Sequence, residues 1–166
     1  MISKIYKYFL QSSKIRHTFL FLSFIIVAQL LIATIIIFFS YTSAVTETSH
    51  STLKIEFSSQ DWFWRLIVAP IFETIVFQWC IISFVKRYFP TRNLLAILLS
   101  SCFFGIMHLQ SLVYIIRAFI IGVLLGFNFE IGRKKSLSFA IKSTIFIHFF
   151  WNLLSLCLRF FIYKYQ

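Results

Sequence analysis

Five long apolar runs, at residues 18–40, 62–85, 93–109, 112–131 and 137–163, occupy most of this 166-residue chain. A helix needs about 20 apolar residues to cross a hydrocarbon layer about 30 Å thick. The third run lies near the lower limit, and the fifth is long enough to tilt or to project beyond the bilayer. Lipid offers no partner for a backbone N–H or C=O, so runs of this kind cross as helices. The expected fold is therefore all-α, a polytopic transmembrane bundle of about five spans. Composition agrees: 60% of residues are hydrophobic and 13% charged, with a mean hydropathy of +0.87, far from the balance of a soluble domain. No internal repeat, low-complexity tract or soluble domain interrupts the pattern.

The formal net charge of +11 would suggest nucleic acid in a soluble chain. Here the basic residues cluster at the ends of the apolar runs, which reads as membrane orientation and contact with anionic lipid, with no nucleic-acid partner. Lys4, Lys7, Lys14 and Arg16 precede the first run, Lys86, Arg87 and Arg92 follow the second, and Arg133, Lys134 and Lys135 follow the fourth. With five spans these segments share one side, which places the N-terminus in the cytoplasm and the C-terminus outside. The opposite side carries Lys54 among Glu47, Glu56 and Asp61, and Lys164. Trp62, Trp64, Tyr88, Tyr163 and Tyr165 fall where an interfacial aromatic belt would lie. The first run exceeds the apolar region of a signal peptide and is read as a retained span, with cleavage near Ser43 and Ala44 the lesser alternative. Residues 1–61 then form a basic tail, a first span and an extracytoplasmic loop, and residues 62–166 a core of four helices.

Ionisable groups inside spans are costly and tend to face a bundle interior or a water pocket. Glu73, His108 and His148 lie on three different runs. A rise of 1.5 Å per residue puts them about 18, 22 and 17 Å from the cytoplasmic side, in one layer of the bilayer. His148 and Asn152 are four apart and share a helix face, a stripe that Ser155 and Arg159 continue; Thr74 and Gln78 are paired the same way beside Glu73. Pro70, one turn before Glu73, removes a backbone hydrogen bond and should kink its helix. Gly122 and Gly126 make a small-xxx-small pattern suited to close helix approach.

These positions compose three short motifs: Glu73-Thr74-Ile75-Val76-Phe77-Gln78, then Phe104-Gly105-Ile106-Met107-His108, then His148-Phe149-Phe150-Trp151-Asn152. In order, spacing and helical context they resemble the CPBP family of CAAX-protease and bacteriocin-processing intramembrane proteases, also called the Abi family. Its pattern is EExxxR, FxxxH and HxxxN or HxxxD on successive core helices. The resemblance covers about residues 62–163. Thr74 stands where the second Glu is usual, and Gln78 where an Arg is usual; an ETxxxQ form resembles a variant within the family.

The resemblance implies an intramembrane endopeptidase that hydrolyses a peptide bond of a membrane-associated peptide or protein. Glu73 would be the general base on water, and His108 and His148 would hold that water or a metal. Asn152 would help stabilise the oxyanion, with Thr74, Gln78 and Phe104 in support. Desolvation makes a carboxylate a better base, and donors in a dry cavity stabilise developing charge strongly. Glu73, His108 and His148 would also make an acceptable zinc set; a Glu that ligates metal cannot freely serve as base, so the metallo- and glutamate-type readings both stand. Eukaryotic relatives act on prenylated C-termini, whereas bacterial relatives are linked to peptide maturation and bacteriocin immunity, which suits this short chain better. A non-catalytic immunity or peptide-binding protein of the same fold is the main alternative. An ion carrier is disfavoured because no repeat is present.

The remaining polar residues have plainer readings. Arg65, two turns from Glu73, is too far to pair with it directly. Arg117, Lys142 and Arg159 lie nearer span ends and are expected to snorkel to the interface. Glu130 is expected to pair with Lys134 at i+4, and His17 and His50 fall outside the spans. Cys80, Cys102 and Cys157 match no metal knuckle and are expected as small packing residues.

Overall fold

The computed structural model describes residues 2–44, 62–109 and 111–164. They form six helices, α1 (Ile2–Gln11), α2 (Lys14–Ala44), α3 (Trp64–Tyr88), α4 (Asn93–Ile106), α5 (Leu112–Arg133) and α6 (Leu137–Lys164), and no strand occurs among the described residues. Four contain stretches long and apolar enough to cross a membrane: Lys14–Ile35, Trp64–Tyr88, Leu112–Arg133 and Leu137–Leu158. The chain is a multi-pass membrane protein, and about five spans follow once α4 is counted. With only 14 residues, α4 rises about 21 Å, less than the about 30 Å of a hydrocarbon core. It ends three residues before the expected boundary at 109, and that early ending shapes the site.

The N-terminal segment, read as a basic tail, is itself helical. Phe9 and Leu10 pack against the core. Likewise α2 begins at Lys14 rather than near residue 18, which carries His17 into the helix. His17 is fully buried, and its Nε2 donates to Asn128 Oδ1 of α5 at 3.0 Å. Asn128 Nδ2 in turn donates to Thr144 Oγ1 of α6 at 2.8 Å. Thus His17, expected outside the spans, ties three helices together; His50 lies outside the described residues.

Helix α5 is the centre of the bundle, packed on α4 along one side and α6 along another, while α2 lies against α6 and α5. Gly122 and Gly126 make the α4–α5 approach possible. A Cβ on Gly122 would stand 3.2 Å from the Ser101 Cα, and one on Gly126 only 2.9 Å from an Ile97 methyl. The core joins Phe104, Ile121, Leu125, Ile147 and Trp151 to Phe21 and Ile25 of α2. Large apolar residues such as Phe19, Leu31, Phe72 and Phe103 stay exposed, as a lipid-facing surface requires. All three cysteines are exposed too, so they face outward instead of packing inside.

The basic segments gather at one end. Lys135 Nζ donates to the Ser12 carbonyl in the turn before α2. Arg133 donates to Ser83 Oγ of α3 at 3.3 Å, and Lys86 Nζ reaches Glu130 Oε2 at 2.5 Å. Glu130 therefore pairs across helices with Lys86, and along α5 with Arg133 at 3.4 Å, rather than with the expected Lys134. The packing of α3 against α5 brings Lys86 to a carboxylate that periodicity along one helix cannot reveal.

Candidate active site

The irregularity expected at Pro70 takes the form of wide turns on both sides of it. Trp64–Val68 and Thr74–Ile81 are π-helical, and Ala69–Glu73 between them is α-helical. Such widened turns occur mostly at functional positions. In the first of them the Ala69 N–H bonds the Trp64 carbonyl, five residues back. One step further, the Arg65 carbonyl would face residue 70, and proline has no N–H to offer. Asn152 Nδ2 of α6 donates to that carbonyl at 2.8 Å. The gap left by proline thus becomes the point where α6 docks on α3, three residues after which Glu73 faces the bundle.

His108 lies just beyond the end of α4, where Met107 is the C-cap. Its Nδ1 stands 2.6 Å from the Phe104 carbonyl. A carbonyl only accepts, so Nδ1 carries a proton and Nε2 is the ring nitrogen not used in this bond. The same contact satisfies a carbonyl left open where α4 ends. Phe104 is buried and sets both histidines: its ring centroid is 4.7 Å from that of His108 and 5.7 Å from that of His148. Phe77 of α3 meets it edge-on at 5.3 Å.

His148 is almost wholly enclosed and presents Nε2 to Glu73 Oε2 at 3.4 Å. Glu73, His108, His148 and Asn152 then line one cavity of about 330 Å³, with Phe104 in its wall. The four residues singled out in the sequence converge, and they come from α3, the end of α4 and α6. Thr74 and Gln78, expected in support, do not line it. Both are fully buried, and neither Thr74 Oγ1 nor the Gln78 amide has a hydrogen-bond partner among the described residues. The two positions where the first motif departs from its usual form are therefore not part of the cavity lining.

The lining also holds groups that sequence reasoning passed over. Tyr114, Arg117, Ala118 and Ile121 from α5, with Arg65, Trp151 and Ser155, complete the wall. Arg117, expected to snorkel to the interface, points inward instead. Its guanidinium donates to Ser155 Oγ at 2.9 Å and lies over the Trp151 ring at 5.6 Å. The reason is the short α4: where it stops, the first turns of α5 border the cavity rather than a neighbouring helix. The signal was the i, i+3, i+4, i+7 spacing of Tyr114, Arg117, Ala118 and Ile121. The side chain of Arg159 lies outside the described residues, while Lys142 is exposed, as expected.

Among the described residues, no three His, Cys, Asp or Glu side chains are grouped to hold a metal ion. The bond from His108 Nδ1 to the Phe104 carbonyl leaves Nε2 as the ring atom open to a ligand, and the cysteines face outward. Glu73, His108 and His148 are the residues that would hold a zinc ion, with His108 Nε2 as one ligand atom, and the ion would polarise the carbonyl and acidify the water.

No curated protein and no solved structure matches the chain. A family model described as type II CAAX prenyl endopeptidase Rce1-like matches residues 56–154, which is more than half of the chain and includes every residue of the three motifs. With Glu73, His108 and His148 gathered on that matched segment, this chain belongs to the Rce1-like family of type II CAAX prenyl endopeptidases.

Proposed function

We propose that the protein is an intramembrane endopeptidase of the cell membrane that hydrolyses a peptide bond of a membrane-associated peptide or protein. A water in the cavity donates one hydrogen bond to Glu73 and another to His108 Nε2. Glu73 takes its proton as the oxygen attacks the scissile carbonyl carbon. The tetrahedral oxyanion is stabilised by the Arg117 cation and by the Asn152 N–H that Arg65 does not use. Collapse breaks the C–N bond, and the proton held by Glu73 passes to the leaving amine. His148 orients the carboxylate through its Nε2–H. No step passes through a metal ion.

The observation that carries this reading is the 3.4 Å approach of Glu73 and His148 inside a cavity that His108 and Asn152 also line. The departures at Thr74 and Gln78 are compatible with it, because neither residue is part of the cavity lining. The test is Glu73→Gln and His148→Ala in a cleavage or immunity assay, with thermal unfolding in detergent as the folding control. Loss of cleavage in folded protein is expected. Full protection by both variants without cleavage would instead favour a peptide-binding immunity protein of the same fold, and full cleavage by both would overturn the roles given to Glu73 and His148.

A further inference from the structure

The cavity and the basic rim lie at opposite ends of the bundle. Lys135 with Ser12, Lys86 with Glu130 and Arg133 with Ser83 close one end. The cavity is lined from the other end of each helix: Arg65 at the start of α3, Met107 and His108 where α4 stops, Arg117 early in α5 and Ser155 late in α6. Glu73 and His148 form its deep side. Positively charged connections stay on the cytoplasmic face, so the rim marks that face and the cavity occupies the far half of the bilayer. We infer that the cavity is reached from the non-cytoplasmic leaflet, and that its substrate is an exported or outer-leaflet-anchored peptide rather than a cytoplasmic C-terminus.

Two further observations agree. Because α4 is short, its C-terminal end stops at the depth of the cavity instead of sealing it. Three apolar side chains stand open where α4 gives way to α5: Met107, Leu109 and Leu112 are each more than 70% exposed. These side chains border the outer leaflet beside the exposed, polar Ser111, so a peptide already held in that leaflet reaches the cavity sideways. The substrate half of this inference rests on the protease reading; the orientation half does not.

The experiment is thiol labelling of the full chain with Cys80, Cys102 and Cys157 replaced by Ala. One cysteine is then returned at a time, at Ser111 between α4 and α5 or at Lys134 at the basic end; both positions are exposed, and neither lines the cavity. A membrane-impermeant maleimide is added to the non-cytoplasmic face of intact cells. Ser111→Cys should label before permeabilisation and Lys134→Cys only after it. The reverse pattern, or Ser111→Cys labelling only after permeabilisation, overturns the inference. A reporter fused after Lys164, at the cavity end of α6, gives an independent readout. An active phosphatase fusion supports the orientation, and a fluorescent cytoplasmic-type fusion overturns it. Labelling needs no turnover, so failure of the protease reading shows separately, as uncleaved substrate with the labelling pattern unchanged.

Discussion

Asn152 Nδ2 donates to the Arg65 carbonyl at 2.8 Å, filling the position that the missing N–H of Pro70 leaves open. A motif residue expected to act on substrate is thereby also a structural tie between α6 and α3. Asn152→Ala removes this bond between α6 and α3, a loss of about 0.5–1.5 kcal/mol. Asn152→Asp should do no better, because a carboxylate has no donor for a carbonyl. Thermal unfolding in detergent reads both. If Asn152→Ala unfolds like the parent, the tie is not a structural one.

Glu73→Gln keeps the size of the side chain and removes the base. The expected loss is about 10²–10⁴-fold in turnover, with unfolding temperature little changed, since the contact to His148 is long at 3.4 Å. A cleavage assay beside a melting curve separates the two effects. Equal loss in both would mean that Glu73 is a structural group.

Phe104 touches both histidine rings, so truncating it removes their common support. Phe104→Ala should cost about 3–5 kcal/mol as a core cavity and abolish cleavage. Phe104→Leu, which refills part of the volume, should recover much of the stability but less of the activity. Activity recovering in step with stability would show that the ring does no more than fill space.

Gly126 stands against Ile97, where a Cβ would come within 2.9 Å of a methyl group. Gly126→Val should force α4 and α5 apart at a cost of about 1–3 kcal/mol. Combining it with Ile97→Ala should restore most of the loss, since the clash is with that side chain. Absence of rescue in unfolding measurements would move the strain elsewhere.

The proposed steps use Glu73 as the base and pass through no metal ion. Cleavage by purified protein should therefore survive a strong chelator, with substoichiometric metal in the preparation. Loss of activity on chelation, restored by zinc, would mean that Glu73, His108 and His148 move together to bind an ion.

The spans and the three polar motifs were legible along the chain because both rest on local rules. Apolar run length gives the helices, since lipid leaves the backbone no other partner. The equal depths of Glu73, His108 and His148 follow from a fixed rise per residue. Boundaries were less legible. His17, expected outside the spans, lies inside α2. Errors of partner had one cause: Glu130 was given a neighbour on its own helix, while its partner Lys86 lies on another.

By itself, then, the order of residues determined a helical membrane bundle and the side chains able to do chemistry in it, because burial in lipid is a demand each segment meets alone. Which of those side chains share a cavity was decided by packing. The early end of α4 turned Arg117 inward, and the wide turns of α3 kept Glu73 in the cavity wall while Thr74 and Gln78 stayed out of it. A helix period says which residues share a face; only the neighbouring helices determine whether that face meets lipid, a packed core or the cavity.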